Sequence, residues 1–304
     1  MTDVTGRRMV LVVDATAAVG AGHAMRAAAL AAGWRGLGGE VVAMGRIELP
    51  FVVRRYEDLG IPIDPCADPT CDVLVVDRYD PDAREAMAAG PFAPLKVLVD
   101  DLAEAVPAGF DVVWNPNPYA SVELYSSFGG RILAGSQFVA LRDDLPKWRK
   151  RLDGDVIVTL GGGRPSQTMI NALALLFKLM PAERFAVTGD WAPPGARQVD
   201  PDHLWAEAIE AKCLVTAAGG TTWEAAAVGV PMVVVVVAEN QRLVYRWARD
   251  CGVPGVNALG LDRDHLAHQL RALIPAAMIA PPLVNGAGRV ARELARMLVP
   301  ERAP

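Results

Sequence analysis

Short runs of apolar, β-branched residues alternate along the chain with longer segments whose apolar positions recur at helical spacing. Runs at 9–13, 40–44, 72–76, 96–99 and 111–114 are rich in valine and too short for a helix, which suits strands buried on both faces of a parallel sheet. Between them, 23–37, 51–59 and 81–89 read as helices, followed by Gly38, Gly60 and Gly90 as C-terminal stops. A charged stretch, 142–154, interrupts the rhythm. It restarts with strands at 155–160, 185–188, 213–216 and 232–237 and helices at 166–180, 223–228, 241–250, 262–273 and 286–298. Alternation that resets midway predicts an α/β chain of two Rossmann-like, doubly wound domains facing across a cleft. The boundaries read as an N-terminal domain at 1–143, a linker at 144–154, a C-terminal domain at 155–285 and a terminal helix and tail at 286–304.

Composition narrows the function. A length of 304 residues is enough for two domains of about 150 residues each. Thirty basic and 35 acidic residues are dispersed, so the basic excess of a general nucleic-acid binder is missing. Cys66, Cys71, Cys213 and Cys251 form no CxxC pair, which points to a reducing cytoplasm. The apolar run after Arg8 is too short for a signal peptide. The run at 228–238, which contains Gly229 and Pro231, falls well short of the roughly 20 residues a bilayer span needs. A cytoplasmic protein without an integral membrane segment is expected.

Three strand-to-helix loops can carry chemistry. In the first, Gly20 and Gly22 allow close backbone approach ahead of a helix that begins near His23. Met25 stands where a dinucleotide fingerprint needs its third glycine, so that motif fails. His23 is open to two readings, a packing or capping residue or a general base, and the positive end of a helix disfavours imidazolium there. Arg26 can contact phosphate or pair with an acid at the surface. The second loop, Gly161, Gly162 and Gly163 before Arg164 and Pro165, lacks a P-loop ending but suits an anion cradle, or a plain turn capped by Ser166. The third holds Gly219, Gly220, Thr221, Thr222 and Glu224. Thr221 and Glu224 match a capping box, which is compatible with phosphate contacts by either threonine. Asn240 and Gln241 follow the strand ending at 237.

Other signals are weaker. Asp80 before Pro81 reads as a helix cap, not as half of a metal-binding pair with Asp82. Asp100 and Asp101 suit a cleft position or a turn equally. His265 and His268 have no third ligand nearby and read as solvated.

Taken in order, the runs GAGHAMR at 20–26, DRY at 77–79, DDL at 100–102, GGG at 161–163, GGTTWE at 219–224 and AENQ at 238–241 resemble a known family. It is the nucleotide-sugar hydrolase family of pseudaminic acid biosynthesis, whose members remove UDP from a diacetamido-trideoxy sugar. The wider group includes spore-coat polysaccharide glycosyltransferases and is related to the peptidoglycan GlcNAc transferase. The resemblance implies a GT-B fold with the nucleotide bound mostly by the C-terminal domain. It implies His23 as catalytic base and Tyr79 near the sugar or the attacking water. Glu224 would bind ribose hydroxyls and Asn240 would reach the substrate. The glycine loops would hold the diphosphate, with no metal and no cofactor. Two positions depart from the family: Arg78 stands where many relatives have His, and Arg164 and Pro165 stand where an Asp often follows the glycines.

The function implied is hydrolysis of a nucleotide-activated amino or deoxy sugar, most readily a UDP-sugar, with water attacking the anomeric carbon. An inverting glycosyltransferase would use the same residues with an acceptor hydroxyl in place of water, held in a groove at 105–110 or 114–119. A noncatalytic nucleotide-sugar-binding protein would keep only the C-terminal loops.

Overall fold

The computed structural model describes residues 3–103, 106–149 and 153–298. It divides into two compact units, Met1–Asp143 with Val284–Pro304, and Asp144–Leu283.

In the first unit the order is β1 (Arg8–Val13), α1 (Gly22–Arg35), β2 (Glu40–Met44), α2 (Pro50–Asp58), β3 (Val73–Asp77), α3 (Pro81–Ala89), β4 (Leu95–Val99), β5 (Val112–Trp114) and β6 (Arg131–Leu133). All pair parallel in the order β2-β1-β3-β4-β5-β6. Alternate residues of β1 serve opposite faces: Met9, Leu11 and Val13 pack with Leu30 and Trp34 of α1, while Val10 and Val12 pack with Leu74, Leu98 and Ala88. Burial on both faces explains why the strands read as unbroken apolar runs.

The second unit follows with β7 (Val156–Thr159), α4 (Gln167–Leu179), β8 (Phe185–Thr188), β9 (Ala196–Val199), α5 (Leu204–Ala208), β10 (Cys213–Ala217), α6 (Gly220–Val228), β11 (Met232–Val236), α7 (Arg242–Asp250), β12 (Gly255–Asn257) and α8 (Arg263–Leu273). Its sheet is also parallel, ordered β12-β11-β10-β7-β8-β9. Two doubly wound sheets therefore confirm the predicted fold class. The strands that the sequence pattern missed, β6, β9 and β12, are edge strands of three or four residues. An edge can be short and half-polar, as β9 is, so no apolar run marks it.

Two boundaries differ from the sequence reading. Part of the stretch taken as a linker is bonded onto the second unit, because its donors find free carbonyls there. Lys147 Nζ donates to Ala227 O (3.0 Å), the Trp148 amide to Val228 O (3.0 Å) and the Arg149 amide to Ile209 O (2.7 Å). Lys150, Arg151 and Leu152 lie outside the described residues. The terminal helix, α9 (Ala287–Leu298), read from the sequence as a separate segment, belongs to the first unit. Its Val290 and Leu294 enter the core beside Leu30 and Trp34. The approach to α1 is close: a Cβ on Gly33 would stand 3.1 Å from the Gly288 Cα and 3.2 Å from the Ala287 carbonyl. Replacing Gly33 by Val should force the two backbones apart and destabilise the first unit by about 1–3 kcal/mol, read as a lower urea midpoint; an unchanged midpoint would show that the helices have room to separate.

Candidate active site

Ligands of open parallel sheets bind beyond the carboxyl ends of the strands where strand order reverses. In the first unit that point lies between β1 and β3, whose last residues, Val13 and Asp77, are register partners. The loop after β1 turns through Gly20, which takes φ +85°, and enters α1 at Gly22. His23, in the first turn, is only 6% exposed.

Its partner is Asp77. The His23 Nδ1 lies 2.6 Å from Asp77 Oδ1, and Arg26, one turn along the helix, grips the same carboxylate with Nε (2.6 Å, to Oδ2) and Nη2 (2.6 Å, to Oδ1). A 2.6 Å contact to a carboxylate oxygen places a proton on Nδ1, so the 3.1 Å approach of Arg26 Nη2 to the same nitrogen is not a hydrogen bond. In the neutral ring the lone pair is then on Nε2. Burial opposes ionisation of Asp77, but Arg26 and His23, by charge and by hydrogen bond, hold its carboxyl well below the usual carboxylate range. For Arg26 burial disfavours the charge, and Asp77 and Asp101 outweigh it, keeping the guanidinium firmly protonated.

Arg26 reaches Asp101 Oδ2 as well (2.7 Å), and the Tyr79 hydroxyl donates to that oxygen (2.9 Å). The Tyr79 ring meets His23 edge-on, with centroids 4.6 Å apart. Behind Asp101 runs a buried polar chain. Tyr125 OH donates to Asp100 Oδ2 (2.9 Å), Asn115 Nδ2 donates to Tyr125 OH (2.8 Å) and Asn117 Nδ2 donates to Asn115 Oδ1 (2.9 Å). Burial raises the Asp100 carboxyl above its ordinary value despite Tyr125 and Arg84. Burial and the Asp101 charge likewise raise the Tyr119 hydroxyl, which donates to the Asp101 carbonyl at 3.3 Å.

The second unit reverses its strand order between β7 and β10, and the two glycine loops follow those strands. Gly161 takes φ +88°, and Ser166 Oγ caps α4 by accepting from the Met169 amide (3.2 Å). A cavity of about 700 Å³ borders this loop, lined among others by Gly163, Arg164, Ser166, Asn171 and Leu261. After β10, the helix cap is Gly219 and not Thr221, so the capping box predicted for Thr221 and Glu224 does not form. Thr221 falls inside the first turn, and Glu224 Oε2 accepts from Trp205 Nε1 (3.2 Å). The Thr222 amide donates to the Gly219 carbonyl (2.9 Å), and with no side-chain cap on the helix the Gly220 and Thr221 amides ahead of it are left to other acceptors.

Several site expectations change. The hydroxyl of Thr222 is fully buried and donates to Ala217 O (3.1 Å), a geometry that removes it from ligand contact. Gln241 Oε1 accepts from the Val237 amide (2.8 Å), which turns it inward, whereas Asn240 is exposed. Arg26 pairs with acids, as one reading had it, but in the interior and not at the surface. Of the acceptor grooves, 106–110 precedes β5 and so lies at the opposite end of the sheet from His23, beside a cavity of about 880 Å³ lined by Val106, Phe110 and Phe128. Ala105 lies outside the described residues. Asp80 caps α3 as predicted. The residues that sequence reasoning underrated are Asp77 and Asp101. Asp77 does carry a signal, an acid closing a buried valine run.

No protein-family model matches the chain, and no curated protein matches it by sequence. Solved structures do. MurG of Acinetobacter baumannii is similar over 96% of this chain and 100% of its own, at 14% identity and TM-score 0.63. The UDP-GlcNAc 2-epimerase of Neisseria meningitidis, solved bound to UDP-GlcNAc, matches 94% of this chain and 98% of its own at 12% identity and TM-score 0.64. The Streptomyces sp. SF2575 glycosyltransferase SsfS6, complexed with thymidine diphosphate, matches 95% and 99% at 13% identity and TM-score 0.58. At these identities the likeness establishes the fold: two Rossmann-like domains of the GT-B kind. Among the described residues no helix is long and apolar enough to cross a membrane.

The depressed pKa of Asp77 fixes a pH dependence. Its stabilising contribution is complete above the ordinary value of 3.8 and is lost as pH falls through the lower folded value. Asp77→Asn should cost about 3–5 kcal/mol near neutral pH, since it strips a buried guanidinium of a partner. In denaturant titrations the gap to wild type should narrow below about pH 4; a gap that stays level on acidification would contradict an ionised Asp77.

Proposed function

We propose that the protein cleaves the anomeric bond of a nucleotide sugar, with His23 as general base and the glycine loops of the second unit as the seat of the diphosphate. The observation that carries this reading is the Asp77–His23 pair. Asp77 fixes the proton on Nδ1, leaves Nε2 as the basic nitrogen and compensates the charge that forms when His23 accepts a proton. With one Arg26 against Asp77 and Asp101, the cluster is net negative while His23 is neutral and approaches neutrality as His23 is protonated.

In the reaction, His23 Nε2 takes a proton from water as the water oxygen bonds to the anomeric carbon. The bond from that carbon to the diphosphate oxygen breaks, and the electron pair leaves with the nucleoside diphosphate. Backbone amides at Gly161–Gly163 and at the start of α6 would receive the growing negative charge, and fixed donors of this kind need no reorganisation. Thr221, Glu224, Asn240, Gly20 and Gly22 are proposed as ligand contacts, and Tyr79 as the neighbour of the reacting centre.

A second reading, transfer to an acceptor hydroxyl in place of water, is favoured by one observation. Beyond β5, past Tyr119, the short 3₁₀ turn Val122–Tyr125 leaves Val122 and Leu124 about half exposed, an apolar rim at the same end of the sheet as His23. The solved glycosyltransferases of this fold are consistent with it.

His23→Ala and His23→Asn should lower turnover of a UDP-sugar by about 10²–10⁴-fold while thermal stabilisation by UDP stays at the wild-type level. Near wild-type turnover in both variants would remove the base assignment. Free sugar released without acceptor supports hydrolysis, and a strict acceptor requirement supports transfer.

A further inference from the structure

Arg78 lies between Asp77 and Tyr79 yet takes no part in the His23 cluster. Its side chain leaves β3 and crosses the carboxyl end of β1, where Nη2 donates to Asp14 Oδ1 (2.9 Å), an oxygen that also accepts from the Arg46 amide (2.7 Å). The seat is built for it. Gly45, just past β2, takes φ +146°, and a Cβ there would stand 3.0 Å from Arg78 Nη2 and 2.0 Å from the Val13 carbonyl. The backbone is held as well, since Arg84 Nε donates to the Arg78 carbonyl.

A guanidinium so fixed should have its donors used, and this one does not. Arg78 Nε is buried with no hydrogen-bond partner among the described residues, Asp14 meets the head through a single nitrogen, and the side chain remains 27% exposed. Nε is closed to solvent, so the donors open to a ligand lie on the outer edge of the head, where Nη1 makes no hydrogen bond among the described residues and Nη2 has a second N–H beyond the one given to Asp14. The fork geometry of arginine suits a planar carboxylate.

Resting on the nucleotide-sugar reading above, we propose that Arg78 is a specificity-determining residue that receives a carboxylate carried by the sugar, so that the substrate is a nucleotide-activated acidic sugar. The residue next to the base's own partner thus reads the sugar's charge while His23 acts at its anomeric carbon.

The test compares the binding of UDP-glucuronic acid, UDP-glucose and UDP by calorimetry to wild type, Arg78→Gln and Arg78→Lys. The first two ligands differ only at C6 of the sugar, a carboxylate in one and a hydroxymethyl group in the other. Wild type should prefer the acidic sugar on the order of tenfold or more. Arg78→Gln should abolish that preference, Arg78→Lys should keep part of it, and UDP should bind all three alike. Equal wild-type affinities for the two sugars, or a preference that survives Arg78→Gln, would overturn the proposal while leaving the nucleotide-sugar reading intact. Failure of UDP to bind any of them would sink the nucleotide-sugar reading and this inference with it.

Discussion

One buried carboxylate organises the first unit's strand-end surface. Asp77 closes a strand whose other residues are all buried and apolar, where an unpaired charge would be neutralised or expelled. Arg26 is the reason it stays charged, and the pair in turn dictates how His23 sits. Two charges about 4 Å apart attract by about 1 kcal/mol in bulk water and by about 4 kcal/mol at an effective dielectric near 20, so the same three side chains on an open surface would hold the imidazole far more loosely.

The two units solve the same topological problem with different chemistry. Each sheet reverses its strand order once, and each reversal leaves a pair of neighbouring strand ends from which loops diverge. At the first, the loops deliver side chains: an imidazole, a guanidinium, two carboxylates and a phenol. At the second they deliver main chain, through glycines that bring amides forward with no side chain in the way. On the reading proposed above, the first set would supply a group that exchanges a proton and the second would hold a diphosphate with donors that do not titrate.

Much of this was legible in the sequence. Valine-rich runs fixed the central strands because parallel sheets bury both faces, and the glycine loops were visible as breaks between period-two and helical patterns. The edge strands β6, β9 and β12 left no trace because an edge needs little apolar surface. His23 could be singled out from its glycine turn, but its partner could not. Asp77 lies 54 positions downstream, and only the parallel pairing of β1 with β3 brings the two together. Thr221 and Glu224 misled because a capping box is a spacing rule, whereas Gly219 had already taken the cap position. Thr222 misled because a hydroxyl next to a glycine loop can bond backward to its own strand as readily as forward to a ligand.

The return of α9 to α1 has a consequence for biosynthesis. The first unit is assembled from two separate stretches of the chain, with about 140 residues of the second between them. At ribosomal speeds of about 5–20 residues per second, that insertion takes on the order of ten seconds to emerge. Throughout that interval Leu30 and Trp34 are without α9, and at its end the second unit has all its strands while α9 has yet to appear. The later-made half can therefore mature before the earlier one, which waits with the α1 surface around Leu30 and Trp34 uncovered.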